Sequence, residues 1–166
     1  GEAFHERGVV THAGIPVQPV IRVPCIIFAP GLASPRLDDY PVQQIDMVPT
    51  VCALMGMEPH PNFQGINVLA EDRPPAEERR LFIHVETPLA SADVLIEGGQ
   101  WKLWIDRMTN EVALYDVVSD PGEERNLFPT ERERIRDLFS KLQAWRTSQL
   151  AYYAYPFYYE ACYPPR

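Results

Sequence analysis

The apolar run IRVPCIIF (Ile21–Phe28) constrains this chain more than any other feature. It is β-branched and continuously apolar, which suits a strand buried on both faces. Pro24 removes a ladder donor and favours an edge or a strand start. A buried strand needs neighbours, and the first 70 residues supply no second one. They read as an irregular loop over 1–19, this strand, a Pro/Gly-rich loop over 29–41 and one helix. This piece therefore requires partners from outside the sequence.

The helix begins near Asp46, whose carboxylate can cap the first turn, and Pro49 falls where a missing N–H costs little. Val48, Val51, Cys52 and Met55 follow at i, i+3, i+4, i+7 as one apolar stripe, and Gly56 supplies a left-handed stop. Residues 57–79 form a long Pro-rich, charged connection. From Leu81 the pattern turns to β. LFIHVET, DVLIEG, WKLWID and EVALYDV predict a small antiparallel meander, with Gly98-Gly99 as a two-residue hairpin turn. Thr130 and Glu133 have capping-box spacing ahead of a helix with the stripe Ile135, Leu138, Phe139, Leu142 and Trp145. Asp137 and Lys141 add an i,i+4 pair. The aromatic tail over 151–166 needs a surface to pack on. The expected division is 1–79, 80–150 and the tail, and no internal repeat is present.

Composition narrows the function. With 15 Lys+Arg against 23 Asp+Glu the net charge is −8, and Lys102 and Lys141 are the two lysines. Nucleic-acid binding needs rows of cations to displace phosphate counterions, so it is excluded. No apolar run approaches the ~20 residues of a membrane span. Cys25, Cys52 and Cys162 have no CxxC spacing, so neither a zinc ribbon nor a disulfide scaffold is indicated, and the first two read as small core residues. The opening GEAFHERG has no initiating Met and no apolar leader, and reads like the middle of a longer sequence.

Three segments, taken in order, resemble the C-terminal part of the sulfatase family within the alkaline-phosphatase superfamily. Gly1-Glu2 look like the end of the family's D-H/N-G-E turn, and RVPCII (Arg22–Ile27) resembles its R-V-P-x-I-I strand, with His12 ten residues before Arg22. IDMVPTVCALMGM (Ile45–Met57) is similar to its V-D-L-x-P-T-L-x-x-L-A-G-x helix. WKLWIDRMTNEVALYDVVSDPGEERNL (Trp101–Leu127) looks like its W/Y-K-L-I … E-L-Y-D-L-x-x-D-P-x-E-x-x-N-L block. The resemblance implies an α/β fold: the C-terminal part of an alkaline-phosphatase-like core over 1–79, then a small antiparallel sheet packed by a C-terminal helix.

Family chemistry is hydrolysis of a sulfate ester. A formylglycine made from Cys or Ser attacks sulfur, a divalent cation (calcium, or magnesium or manganese) neutralises the oxyanion, and a His or Lys protonates the leaving oxygen. The nucleophile motif C/S-x-P-x-R is absent from this sequence, and the metal-binding positions of the D-H/N-G-E turn would fall before Gly1. The formylglycine and the cation ligands are therefore expected outside this chain. The resemblance gives one catalytic position, His12, as leaving-group acid; it assigns no metal ligand here and leaves the substrate-binding residues unknown. On composition alone His12 reads as a surface histidine of a Gly/Pro-rich loop. His5 and His60 also read as surface residues, His84 as a satisfied structural histidine in an alternating strand, and Glu2 as turn-orienting or simply exposed. The Asp116, Asp120, Glu123 and Glu124 cluster lacks EF-hand spacing and reads as a structural turn.

The leading expectation is the C-terminal part of a sulfatase, inert alone, whose whole protein takes a small-molecule or glycan sulfate ester. Alternatives are a phosphonate monoester or phosphodiester hydrolase of the same superfamily, suggested by Gln18-Pro19, and a non-catalytic interaction module. Self-association through unpaired strand edges and the aromatic tail is also expected.

Overall fold

Four strands, hydrogen-bonded in their sequence order, form one antiparallel sheet: β1 (Arg80–Thr87), β2 (Ala90–Glu97), β3 (Trp101–Asp106) and β4 (Val112–Asp116). The computed structural model describes residues 1–5, 8, 15–61, 63–88 and 90–154. The chain divides into two compact units, residues 1–26 with 77–142 and residues 27–76 with 143–166.

In the first unit the expected meander is present. Gly98 and Gly99 both take positive φ, 62° and 68°, as a two-residue hairpin turn demands. Register assigns the faces. Leu95, Leu103 and Leu114 lie on one face with Glu97 and Trp101. Helix α3 (Arg132–Ala154) covers that face: Arg134 stacks 3.8 Å over the Trp101 ring, and Lys141 pairs with Glu97 at 2.7 Å. Leu138 and Leu142, four residues apart on one side of this mostly polar helix, are its two buried residues. Phe139, expected in the same stripe, stays exposed. The capping box is not formed; the Thr130 hydroxyl instead donates to the Leu127 carbonyl at 3.1 Å. The Asp137–Lys141 pair is present, and residues 151–154 of the tail continue α3. The rest of the tail lies outside the described residues.

The opposite face carries Val94, Ile96, Lys102 and Tyr115, all buried. Pro16 and Val17 are buried with them, just ahead of the single helical turn α1 (Gln18–Ile21).

The strand expected at Ile21–Phe28 is not formed. Ile21 ends α1, and Arg22–Phe28 is exposed and belongs to no described sheet. Ile26 and Phe28 are 88% and 89% exposed, and Cys25 is exposed rather than core. The physical reason is the one that makes the run conspicuous: a ladder needs a second strand, and none is available beside it among the described residues.

In the second unit, α2 (Met47–Leu54) follows a 3₁₀ turn over Gln44–Asp46. Asp46 does not cap α2 as expected. Its fully buried carboxylate accepts from Gln43 N at 2.8 Å and from Ile66 N at 3.0 Å. Thr50 extends this network, donating to the Asp46 carbonyl at 2.7 Å and accepting from Val68 N at 3.1 Å. The Pro-rich connection is thereby tied to the helix, and so closely that a Cβ on Gly65 would lie 2.0 Å from the Ile45 carbonyl oxygen. Asp46→Ala removes the acceptor of two part-buried amides and is expected to cost about 2 kcal/mol. Asp46→Asn, which keeps one acceptor, should cost less, and urea midpoints of the two variants check the order.

Gly56, at φ 68°, ends α2 as its sequence requires. The apolar stripe of α2 turns outward: Val48, Val51 and Met55 are all at least half exposed, and Cys52 is half-buried. Such a stripe normally faces a core. Elsewhere in this unit Arg73 grips Asp38 with both terminal nitrogens, at 2.9 and 3.1 Å, and lies 4.0 Å over the Tyr40 ring. The guanidinium holds the Asp38 carboxyl below the usual carboxylate range.

Candidate functional site

His12, the catalytic position implied by the family resemblance, lies outside the described residues. The segment that follows it is fixed by a buried ion pair that sequence reasoning missed. Lys102, mid-β3, and Glu123, in the turn after β4, are both fully buried and bonded to each other. The Lys102 ammonium also donates to the Pro16 carbonyl, and the second carboxylate oxygen of Glu123 accepts from Gln18 N at 3.1 Å. One carboxylate and one ammonium thus clamp residues 16–18 onto the sheet. Gly1 approaches the same segment: a Cβ there would lie 2.1 Å from the Pro19 carbonyl oxygen.

Glu123 reaches Lys102 from a left-handed backbone position, φ 56°. The acidic turn around it is structural. Asp120 accepts from Glu124 N at 3.1 Å and from Arg125 N at 2.8 Å. Asp116 accepts from Gln100 at 3.0 Å and from the Val118 and Ser119 amides. Burial raises the Asp116 pKa, but these hydrogen bonds outweigh it and bring the carboxyl below its ordinary value. Among the described residues no three His, Cys, Asp or Glu side chains are grouped to hold a metal ion.

The other singled-out histidines are dispersed. His5 is exposed in a tight turn at φ 78°, its carbonyl accepting from Gly8 N at 3.0 Å. His60 is exposed beside the Phe63 ring. His84 bonds the buried Asp93 across the sheet at 2.8 Å, and Arg107 bonds the same carboxylate at 3.0 Å. Sequence reasoning left Asp93 and Arg107 unmarked, although the hairpin register places residue 84 opposite residue 93. Glu2 is exposed, close in sequence to the buried Ala3. No helix among the described residues is long and apolar enough to cross a membrane.

No family model matches the chain, and no curated protein matches its sequence. Solved structures do match. One, a protein in complex with its substrate D-glucosamine-2-N,6-O-disulfate, is similar to this chain with a TM-score of 0.51 and 22% identity, over 59% of this chain and 22% of its own. Another, a 2-O GAG sulfatase, has a TM-score of 0.45 and 20% identity, over 64% of this chain and 24% of its own. The chain spans about a quarter of the length of these proteins. At this identity the likeness concerns the fold alone: an antiparallel four-stranded sheet with helices, in a mixed α/β arrangement.

Proposed function

We propose that this chain is the C-terminal part of a sulfatase-family hydrolase that cleaves sulfate esters, and that it is inert alone. The observation that carries this reading is the exposed, unladdered run Arg22–Phe28, seconded by the outward stripe of α2. Leaving Ile26 and Phe28 in water costs roughly 1.5–3 kcal/mol each relative to burial. Two apolar elements that turn away from their own chain are accounted for by a larger core that receives both. In the whole enzyme, upstream residues supply the formylglycine nucleophile and the cation ligands, and His12 protonates the leaving oxygen. The clamp on residues 16–18 gives the segment after His12 a fixed footing on the sheet.

The test is a pair of assays. The isolated chain should show no turnover of an aryl sulfate with added Ca²⁺ or Mg²⁺, and the whole protein should hydrolyse it. Metal-dependent turnover by the chain alone would overturn the reading. A whole protein faster on a phosphonate monoester than on the matched sulfate would move it to the phosphonate branch of the superfamily.

A further inference from the structure

Stability alone does not account for the Lys102–Glu123 pair. Apolar side chains of similar volume often fill a core at least as stably as a buried ion pair. They cannot hold a backbone, and this pair holds two backbone groups of one short segment. The ammonium takes the Pro16 carbonyl, and the second Glu123 oxygen takes the Gln18 amide. Glu123 does so from φ 56°, a conformation in which glycine would be at ease but would offer no carboxylate.

An acceptor and a donor two residues apart, both gripped, fix the register of the segment as well as its distance from the sheet. Pro16 and Pro19 stiffen it by fixing φ, and Val17, between the gripped groups, is 1% exposed. Gly1 packs on the next two carbonyls, where a Cβ would lie 2.1 Å from the Pro19 oxygen and 2.8 Å from that of Val20. Residues 16–20 are thus a fixed platform. His12 precedes Pro16 by four residues in the sequence, and a stretch of four residues reaches at most about 14 Å.

We propose that Lys102 and Glu123 are positioning residues for the leaving-group acid: by pinning Pro16 and Gln18 they set where the His12 imidazole meets the departing oxygen. Both are fully buried, so they act through the backbone of residues 16–18 and not on substrate. The proposal rests on the sulfatase reading, in which His12 is that acid. A displacement of about 1 Å at a reacting group costs up to about 10² in rate. Here the cost falls on proton transfer: an ester whose leaving group needs a proton feels it, and one that departs as a stable phenolate does not.

The experiment measures kcat and KM of the whole protein on a sugar alcohol sulfate and on an aryl sulfate. The variants are Lys102→Met with Glu123→Leu, His12→Ala, and all three changes together. Removing both ions should lower kcat on the sugar sulfate about 10–10²-fold, change it little on the aryl sulfate and leave KM unchanged. In the His12→Ala background the same change should add nothing, since the acid it positions is gone. Gln18→Pro removes only the amide, after an extended Val17 that accommodates it, and should show the same preference at smaller size even where the ion-free variant fails to fold. Equal falls on both esters, or losses that multiply with those of His12→Ala, would overturn the proposal, because a general structural role produces them. Hydrogen exchange of the full chain reads the clamp without turnover: the Val17 and Gln18 amides should exchange faster in the ion-free variant while β2 stays protected. Unchanged exchange there would overturn the proposal alone, whereas an unmutated whole protein inactive on both esters would overturn the sulfatase reading and the proposal with it.

Discussion

Lys102→Met is expected to destabilise the chain by about 3–5 kcal/mol, the range for removing one member of a buried ion pair. The methionine roughly matches the lysine stem, so packing is largely retained and the loss is electrostatic. Glu123 would remain fully buried with its charge, keeping the Gln18 amide as a donor but losing the ammonium. The Pro16 carbonyl would lose its donor in the same step. A companion variant separates charge from volume: Lys102→Met with Glu123→Leu removes both ions and should recover a large part of the loss. Urea unfolding of the single and double variants measures this. A single-variant loss under about 1 kcal/mol, in the range of an exposed pair, would contradict the burial described.

His12→Ala in the whole hydrolase is the second large effect. Under the proposed function it removes the acid that protonates the leaving oxygen, a contribution of about 10²–10⁴ in rate. The loss should depend on the leaving group. An aryl sulfate that departs as a stable phenolate needs little protonation, so its kcat should fall modestly. A sugar alcohol sulfate departs as a strong base and should approach the full loss. An equal fall on both esters would assign His12 a role in binding or folding instead. Residues 16–18, clamped four residues downstream, make a general effect on loop position a real competitor, and the leaving-group comparison separates the two.

The small sheet was legible because each strand carries its own evidence: alternation or an apolar run, bounded by glycines and polar turns. The periodicity of α2 was also legible, but periodicity records that an apolar face exists, not what meets it, and Val48, Val51 and Met55 face outward. Ile21–Phe28 failed as a strand for a related reason. Its composition describes an environment between other strands, while the structure of this chain contains only what its own residues build.

The Lys102–Glu123 clamp was illegible because a lone lysine in a strand ordinarily belongs to a solvated face. One signal was available: residue 102 shares its face with Ile96 and Tyr115, an apolar setting in which a lysine needs a counter-ion. Asp93 with His84 was recoverable from the register of one hairpin. His12 was marked by family resemblance and not by any local pattern.

The clamp joins segments far apart in the sequence, and this has a consequence for synthesis. Gln18 meets Glu123 across a separation of 105 residues. A chain made from its N-terminus at ~5–20 residues per second reaches that partner roughly 5–20 s after Gln18 has been polymerised. During that interval the segment over residues 16–18 has no finished sheet to anchor it. A nascent chain stalled before β3 should therefore leave residues 16–18 open to protease, and protection should follow once the turn at Glu123 has left the ribosome.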